Sequence, residues 1–251
     1  MIHLITYATE NMSKAADLCM KSAANNGFYD CIWYNEDDIS RSFWEMNSDI
    51  FSEGARGANC YWLFKPYVIY DRLLSLPDGE ILCYSDSGVE FINSVNHIIE
   101  KMDEDIFFFG NNWNHIEWCK GDVMKAINNV SYDRIGFSYN KYTFLKQIQA
   151  SVIFFKVNDN TRRFVKDWLL YCQMPDFIDD TPSKIPNYPT FQEHRHDQAI
   201  LTCLQIKYGY KLHYWPATYN NGAFDYEKIE QYKEDNYPII FHHHRKRNDE
   251  W

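Results

Sequence analysis

An aspartate, Asp86, directly follows an apolar run within the segment Tyr84–Gly88, whose sequence is Tyr-Ser-Asp-Ser-Gly. A carboxylate at the end of a buried strand, followed by a tight turn at glycine, is where an open α/β sheet presents a charge to a ligand. A second interpretation competes with this one. Ser87 and Glu90 have the spacing of a capping box, which predicts a helix that begins at Val89.

Four further groups of residues have side chains suited to chemistry. They are the end of the first apolar segment (Thr6, Tyr7, Ala8, Thr9), Lys65, the pair Asp197 and Gln198 within His194–Gln198, and the run His242, His243, His244, Arg245, Lys246, Arg247 near the C-terminus. Carboxylate and imidazole together suit a cation such as Mn²⁺. Lysine and arginine can neutralise a phosphate leaving group. Consecutive strand residues point to opposite faces, so three adjacent histidines cannot all bind one ion, which argues against a zinc hydrolase.

Hydrophobic periodicity and turn residues predict the elements that position these groups. The predicted strands are 2–8, 30–34, 81–84, 105–109, 151–157, 211–215 and 238–242, and the predicted helices are 13–27, 61–76, 91–102, 161–172 and 197–208. Alternating strands and helices predict an α/β protein with a mixed, mostly parallel sheet flanked by helices. We expect a single domain, with a nucleotide-binding half (1–110) and an acceptor-binding half (111–251) that share one sheet. The polar segment 36–58 is predicted to be an irregular, mobile lid.

Composition excludes several classes of protein. The chain has 251 residues and a net charge of −10, which argues against a nucleic-acid-binding surface. No apolar run reaches the roughly 18 residues of a membrane helix. The N-terminus has no basic segment with an apolar core behind it, so we expect a cytoplasmic protein with no transmembrane segment. The seven cysteines form an odd set with no Cys-x-x-Cys pair. An odd number of cysteines without such a pair is typical of reduced, buried thiols. It favours neither a disulfide framework nor a zinc site.

In their order along the chain, these segments resemble the GT-A glycosyltransferases, in particular the group of glycogenin and the lipooligosaccharide galactosyltransferases. The chain is more similar still to viral and bacterial surface-glycan transferases, which share a Trp-x-x-Lys-Pro-Tyr helix and a His-Arg-x-Asp-Gln segment. Here these motifs correspond to Trp62–Tyr67 and His194–Gln198. The resemblance spans essentially the whole chain and implies the GT-A fold.

The resemblance also implies a function and a set of site residues. The activity would be transfer of a sugar from a nucleoside-diphosphate sugar, with UDP as the expected nucleotide, to a hydroxyl of a glycan or glycoconjugate. The implied donor-binding residues are Thr6, Tyr7, Ala8, Thr9, Lys65, Asp86, Ser87 and Arg245, and the implied catalytic residues are Asp197 and Gln198. Asp86 and His243 would hold Mn²⁺ or Mg²⁺, although His242 and His244 are alternatives to His243.

One position departs from the family pattern. The family has an Asp-x-Asp motif whose first aspartate corresponds to Asp86. In this chain glycine, Gly88, replaces the second aspartate. A divalent cation is normally held by one or two carboxylates together with the phosphates, so the loss leaves metal dependence open. It also motivates an alternative, a glycan- or nucleotide-sugar-binding module without catalysis.

A nucleotidyltransferase would need a glycine-rich, arginine-containing loop after the first strand, and residues 9–13 do not form such a loop. Retention or inversion of the anomeric configuration is also left open.

Overall fold

The computed structural model describes residues 1–131, 145–219, 232 and 234–251. The strands in this part of the chain are β1 (Ile2–Tyr7), β2 (Asp30–Tyr34), β3 (Ile81–Asp86), β4 (Val89–Phe91), β5 (Ile106–Asn114), β6 (Lys146–Lys156), β7 (Leu212–Tyr214), β8 (Ala217–Tyr219) and β9 (Phe241–His243). The α-helices are α1 (Ser13–Asn25), α2 (Arg41–Met46), α3 (Phe64–Ser75), α4 (Asn96–Ile99), α5 (Gly121–Asn128), α6 (Asp159–Cys172), α7 (Pro175–Ile178) and α8 (His196–Tyr208). In these ranges we find no helix that combines the length and the apolar character needed to cross a membrane.

A six-stranded sheet forms the centre of the protein, in the order β2-β1-β3-β6-β5-β7. Neighbouring strands are parallel except at β6, which runs antiparallel to both β3 and β5. This confirms the predicted α/β class, with a mixed sheet in a single domain. Strands from the predicted halves alternate in the sheet, because β6 lies between β3 and β5. The division of the chain into a nucleotide half and an acceptor half stays a prediction.

Both faces of this sheet are buried, because successive side chains of a strand point to opposite faces. In β1, Ile5 contributes to a core beneath α3, α6 and α8, whereas Leu4 contributes to a core beneath α1 and the smaller sheet. Phe108 and Phe107 of β5 divide in the same way. Burial of both faces explains why the central strands have near-continuous apolar sequences.

A second, three-stranded sheet has the order β4-β9-β8 and corrects one sequence prediction. The segment that begins at Val89 is strand β4, not a capped helix, and the helix predicted over 91–102 is reduced to α4. Val89 and Phe91 are buried while Glu90 is not, which is the period of a strand. The pairing partner is β9, about 150 residues further along the chain, so no local pattern could indicate it.

The segment 36–58 is more regular than the sequence predicted. It contains a 3₁₀ turn, Glu36–Asp38, and helix α2, whose N-terminal cap is the Ser40 hydroxyl accepting a hydrogen bond from the Phe43 amide. A wide turn, Gly57–Tyr61, then leads into α3. Within it Ala58 and Asn59 both have left-handed backbone conformations. Whether this segment moves as a lid stays a prediction.

Candidate active site

A cavity of about 1010 Å³ opens where β1 and β3 end and α8 begins. Tyr7 and Asp86 are aligned in the β1–β3 register, so both strand ends reach the same edge of the sheet. Most of the residues predicted from the sequence line this one cavity: Tyr7, Ala8, Thr9, Lys65, Asp86, Ser87, Asp197, Gln198, His243 and Arg245. Thr6 differs, because it is fully buried within β1 and is not part of the lining.

Lys65 lies at the centre of the polar groups. It belongs to the first turn of α3, just before Pro66. A proline is tolerated in the first turn because a backbone N–H there would have no intrahelical partner. Its ammonium lies 3.2 Å from Asp86 Oδ1 and 3.5 Å from Asp197 Oδ2. It also donates a hydrogen bond to the Ala150 carbonyl oxygen of β6 at 3.1 Å. Lys65 is only 3% exposed, so one buried cation holds two carboxylates and a strand together.

The charge states of this group follow from its burial. Burial alone would lower the pKa of Lys65, yet the carboxylates of Asp197 and Asp86 outweigh this effect and raise it, so the side chain is an ammonium. Asp197 is 3% exposed. Burial raises its pKa to about 6, against the opposing effect of Lys65. A carboxyl group with such a pKa gains and loses a proton near neutral pH, as acid–base catalysts do.

The first turn of α8 fixes the position of Asp197. Its backbone carbonyl accepts a hydrogen bond from the Trp168 indole of α6 at 3.0 Å. The amide side chain of the next residue, Gln198, is held by β6, because it accepts from the Ala150 amide and donates to Gln147 Oε1 at 2.8 Å. Gln198 therefore joins α8 to the strand whose Ala150 carbonyl also binds Lys65.

The turn after Asp86 packs against the C-terminal segment. The Gly88 carbonyl accepts hydrogen bonds from the backbone amides of His244 at 2.9 Å and Arg245 at 3.2 Å. A Cβ atom at Gly88 would lie 3.0 Å from the Arg245 Cα. A side chain at Gly88 would therefore crowd the backbone that follows β9, which gives a physical reason for glycine there.

Among the three consecutive histidines, His243 is the one that lines the cavity. It pairs with Val89 across the small sheet and is 4% exposed. Its neighbour His242 instead lies 3.0 Å from Thr218 Oγ1, on the opposite face of β9. Alternation along the strand therefore separates the His243 ring from those of His242 and His244, whose centroids lie 6.5 Å apart.

His243 and Asp86 fit a divalent cation. Burial and the nearby Arg245 lower the pKa of His243 to about 3, so the ring is neutral, as metal ligation requires. Within the described residues its Nδ1 has no hydrogen-bond partner, although the ring is buried. Its Nε2 accepts a hydrogen bond from Arg245 Nε at 3.3 Å, which places the proton of the neutral ring on Nδ1, so a cation bound through Nε2 would replace the Arg245 contact. The Asp86 side chain keeps 29% of its surface exposed, so its carboxylate is accessible from the cavity.

Sequence reasoning missed several residues of the cavity wall. Arg195 lies over the stacked rings of Trp113 and Trp118, 4.7 Å from each centroid, and Arg56 forms an ion pair with Glu193 at 3.4 Å. Arg195 lies within the motif His194–Gln198, so its positive charge could have indicated a role in binding an anionic ligand. Trp113 had no such signal, because its place depends on how the end of β5 packs against the segment before α8.

The arrangement of sheets and helices is the GT-A fold, as the sequence resemblance predicted. No protein-family model matches the chain, and no curated protein matches it. Among solved structures it is similar to mouse xyloside xylosyltransferase 1 in the apo form, with a TM-score of 0.50, 9% identity and 97% of both chains covered. It is similar to the bifunctional glycosyltransferase WbbM in the apo form, with a TM-score of 0.54 and 11% identity, over 96% of this chain and 45% of that one.

A third similar structure is the galactosyltransferase LgtC in complex with donor and acceptor sugar analogs. There the identity is 14%, the coverage is 97% of this chain and 87% of that one, and the TM-score is 0.49. At such identities the likeness of the first two structures concerns the fold alone.

Proposed function

We propose that this protein is a glycosyltransferase that moves a sugar from a nucleoside-diphosphate sugar, UDP being the expected nucleotide, to a hydroxyl of a glycan or glycoconjugate. The observation that carries the proposal is the charge of the cavity. Five basic side chains line it (Arg56, Lys65, Arg195, Arg245, Arg247) against three acidic ones (Glu36, Asp86, Asp197), in a chain whose net charge is −10. Lys65 is paired with Asp86 and Asp197, and Glu193 pairs with both Arg56 and Arg195, so Arg245 and Arg247 supply the charge that is left for a ligand. Concentrated positive charge in an acidic protein favours an anionic ligand such as a diphosphate.

The diphosphate leaving group needs this charge. Cleavage of the bond between the anomeric carbon and the phosphate oxygen leaves a nucleoside diphosphate with additional negative charge. Preorganised positive groups aimed at that charge are usually the largest catalytic contribution. Arg245, which follows β9, and Arg247 are the cationic groups of the C-terminal segment in the cavity wall. Tyr7, Ala8 and Thr9, at the end of β1, are assigned to the nucleoside.

Asp86 and His243 are the residues that would hold Mn²⁺ or Mg²⁺. Such an ion supplies Lewis-acid stabilisation to the diphosphate when bound. With one carboxylate and one imidazole from the protein, phosphate oxygens and water would complete the ligand set, as they do at sites where one or two carboxylates hold the ion.

Lys65 is assigned a positioning role rather than the direct contact with the phosphate or sugar of the donor that the sequence suggested. Its ammonium already has three oxygen partners, so it sets the distance between the Asp86 carboxylate and the Asp197 carboxylate. Asp197 is the carboxylate assigned to the reacting sugar. In an inverting reaction it would remove the proton of the acceptor hydroxyl, and in a retaining reaction it would lie beneath the anomeric carbon. Analysis of the product anomer distinguishes the two.

The test is a screen of UDP-, GDP- and TDP-sugars for hydrolysis or transfer, with Mn²⁺, with Mg²⁺ and with a chelator. We expect turnover with a UDP-sugar and none with the Asp86→Asn variant, which preserves the size of the side chain. Calorimetric titration with UDP accompanies the screen. UDP binding without turnover of any donor would favour a binding module, and absence of both would refute the proposal.

A further inference from the structure

A buried cluster of two cysteines and two histidines lies outside the cavity described above. Cys203 Sγ lies 3.7 Å from Cys119 Sγ and 3.2 Å from His115 Nε2. These three atoms all lie within 4.8 Å of one another, and all three residues are buried. From this geometry we infer that His115, Cys119 and Cys203, completed by His194, form a structural zinc site.

The distances match a tetrahedral centre. With zinc–sulfur bonds of about 2.3 Å, two thiolates of one tetrahedral ion lie about 3.8 Å apart. A thiolate and an imidazole nitrogen at about 2.1 Å from the ion are separated by about 3.5 Å. The separations of the Cys203 sulfur from its two neighbours are close to these values. The ligand atoms are therefore already near coordinating positions.

The fourth side chain, His194, is a neighbour of Cys119 but is not one of the three residues whose ligand atoms lie within 4.8 Å of one another. Its Nε2–H donates to the Phe177 carbonyl at 2.7 Å, and the lone pair on Nδ1 accepts a hydrogen bond from the Lys120 amide at 3.3 Å, which zinc ligation would replace. A backbone carbonyl that holds the other ring nitrogen is the usual support of a metal-bound histidine.

Two backbone hydrogen bonds hold the cluster together before any ion binds. The amide of Gln192 donates to the Glu117 carbonyl at 2.7 Å, and the amide of Arg195 donates to the Trp118 carbonyl at 3.1 Å. These bonds align the segment that carries His194 with the segment that carries Cys119. A cavity of about 200 Å³ is lined in part by His194 and by Lys120, the residue after Cys119.

The charge balance also suits a buried site. As zinc binds, each thiol releases its proton to solvent and forms a zinc–sulfur bond, so two thiolates neutralise the divalent ion. Two neutral imidazoles complete the tetrahedron, and the centre has no net charge to desolvate. The sequence did not indicate this site because its ligands come as His-x₃-Cys and His-x₈-Cys, about 75 residues apart, without a Cys-x-x-Cys pair.

The site would join the segment after β5 to α8, the helix that begins beside the candidate catalytic Asp197. Cys203 lies on α8, six residues after Asp197. A zinc ion there would fix this helix relative to the central sheet, independently of any ion at the diphosphate. The inference does not depend on the proposed sugar transfer.

The test is elemental analysis of the full chain after gel filtration in a weak chelator. We expect one zinc per chain in the wild type and in Asp86→Asn, and a loss of most of the zinc in Cys119→Ala and Cys203→Ala. Cys172→Ala is the matched control, because Cys172 is equally buried in the same core but outside the cluster. It should keep its zinc.

A second measurement covers the case in which a cysteine variant does not fold. Wild-type protein stripped with a strong chelator and loaded with Co²⁺ should show a thiolate-to-cobalt charge-transfer band, and zinc should restore the melting temperature that stripping lowers. A wild type without bound zinc and without this band would overturn the inference. So would a Cys119–Cys203 disulfide found by mass spectrometry in freshly prepared protein.

Discussion

At the scale of single residues, Lys65 decides whether the candidate site can exist at all. Two carboxylates close to one buried ammonium are stable only while the ammonium is present. Removing one partner of a buried ion pair leaves an uncompensated charge, which typically costs about 3–5 kcal/mol of folding free energy. We therefore expect Lys65→Met to lower the free energy of unfolding by about that amount, measured by urea denaturation at pH 8.

The control for this substitution is Lys21→Met. Lys21 also forms an ion pair, with Asp17 at 2.6 Å, but both side chains are largely exposed. Exposed pairs contribute about 0–1 kcal/mol, so little change is expected. The double variant Lys65→Met/Asp197→Asn should regain part of the lost stability, because one of the stranded charges is then removed. Equal effects of the two methionine variants would contradict the role given to Lys65.

Asp197 gives the site a dependence on pH. Burial raises its pKa to about 6, while Lys65 and Asp86 are the charged groups that face it and Tyr84, Cys60 and Cys172 are neutral neighbours. A carboxylate role needs the ionised form, which prevails above this pKa and is lost as the pH falls through it. We expect the rate of sugar transfer to fall below about pH 6. The logarithm of the rate should then decrease by one unit per pH unit, as loss of one ionised group requires.

Asp197→Asn tests the assignment of this limb of the pH profile. We expect a loss of rate of about 100-fold, the lower end of what a general acid–base group contributes. The residual activity should no longer decrease at pH 6, while donor binding measured by calorimetry changes little. A variant that keeps the acidic limb would assign the titration to another group.

The residue types of the site were readable from the sequence, but their roles were not. Asp86, Asp197, His243 and Lys65 were all predicted, and they line one cavity. That Lys65 holds both carboxylates was not predictable, because its partners are 21 and 132 residues away along the chain. Such a distance is bridged only by the tertiary structure.

At the scale of elements, β9 and the turn after β3 shape the side of the cavity that carries Asp86 and His243. The Gly88 carbonyl binds the two amides after β9, and a Cβ at this position would meet the Arg245 Cα at 3.0 Å. Sequence analysis noticed the missing aspartate but predicted a helix here. The reason for glycine became apparent only with the pairing of β4 and β9, which no local pattern encodes.

Gly88→Asp should therefore not create a stronger metal site. Room for a side chain requires the backbone at Arg245 to move, and overpacking of this kind costs about 1–3 kcal/mol. We expect Gly88→Asp and Gly88→Ala to lose similar free energy of unfolding, and Mn²⁺ affinity to rise in neither. Alanine is the matched control because it adds the Cβ without the charge. Tighter Mn²⁺ binding by the aspartate variant at unchanged stability would show that the turn has room.

At the scale of the whole molecule, charge is distributed unevenly between the surface and the cavity. The composition is acidic, with a net charge of −10, and from it we predict that the protein has no nucleic-acid-binding surface. It could not predict that five basic residues collect around one cavity, since they come from four separate segments of the chain. The order of the motifs gave the fold correctly, whereas the cavity charge depends on where loops and strand ends meet.

If UDP binds through the cations of the cavity, removing one of them should weaken UDP binding, whereas removing a cation elsewhere on the surface should not. Arg245→Gln removes one cation from the cavity wall, and a hydrogen bond to a charged group contributes about 1.5–3 kcal/mol. We expect the dissociation constant for UDP to rise by about 10- to 100-fold, measured by calorimetry at fixed ionic strength. Arg163→Gln is the matched control, since Arg163 is exposed on α6 and is not part of the lining. If both variants bound UDP as the wild type does, the diphosphate would have to lie elsewhere.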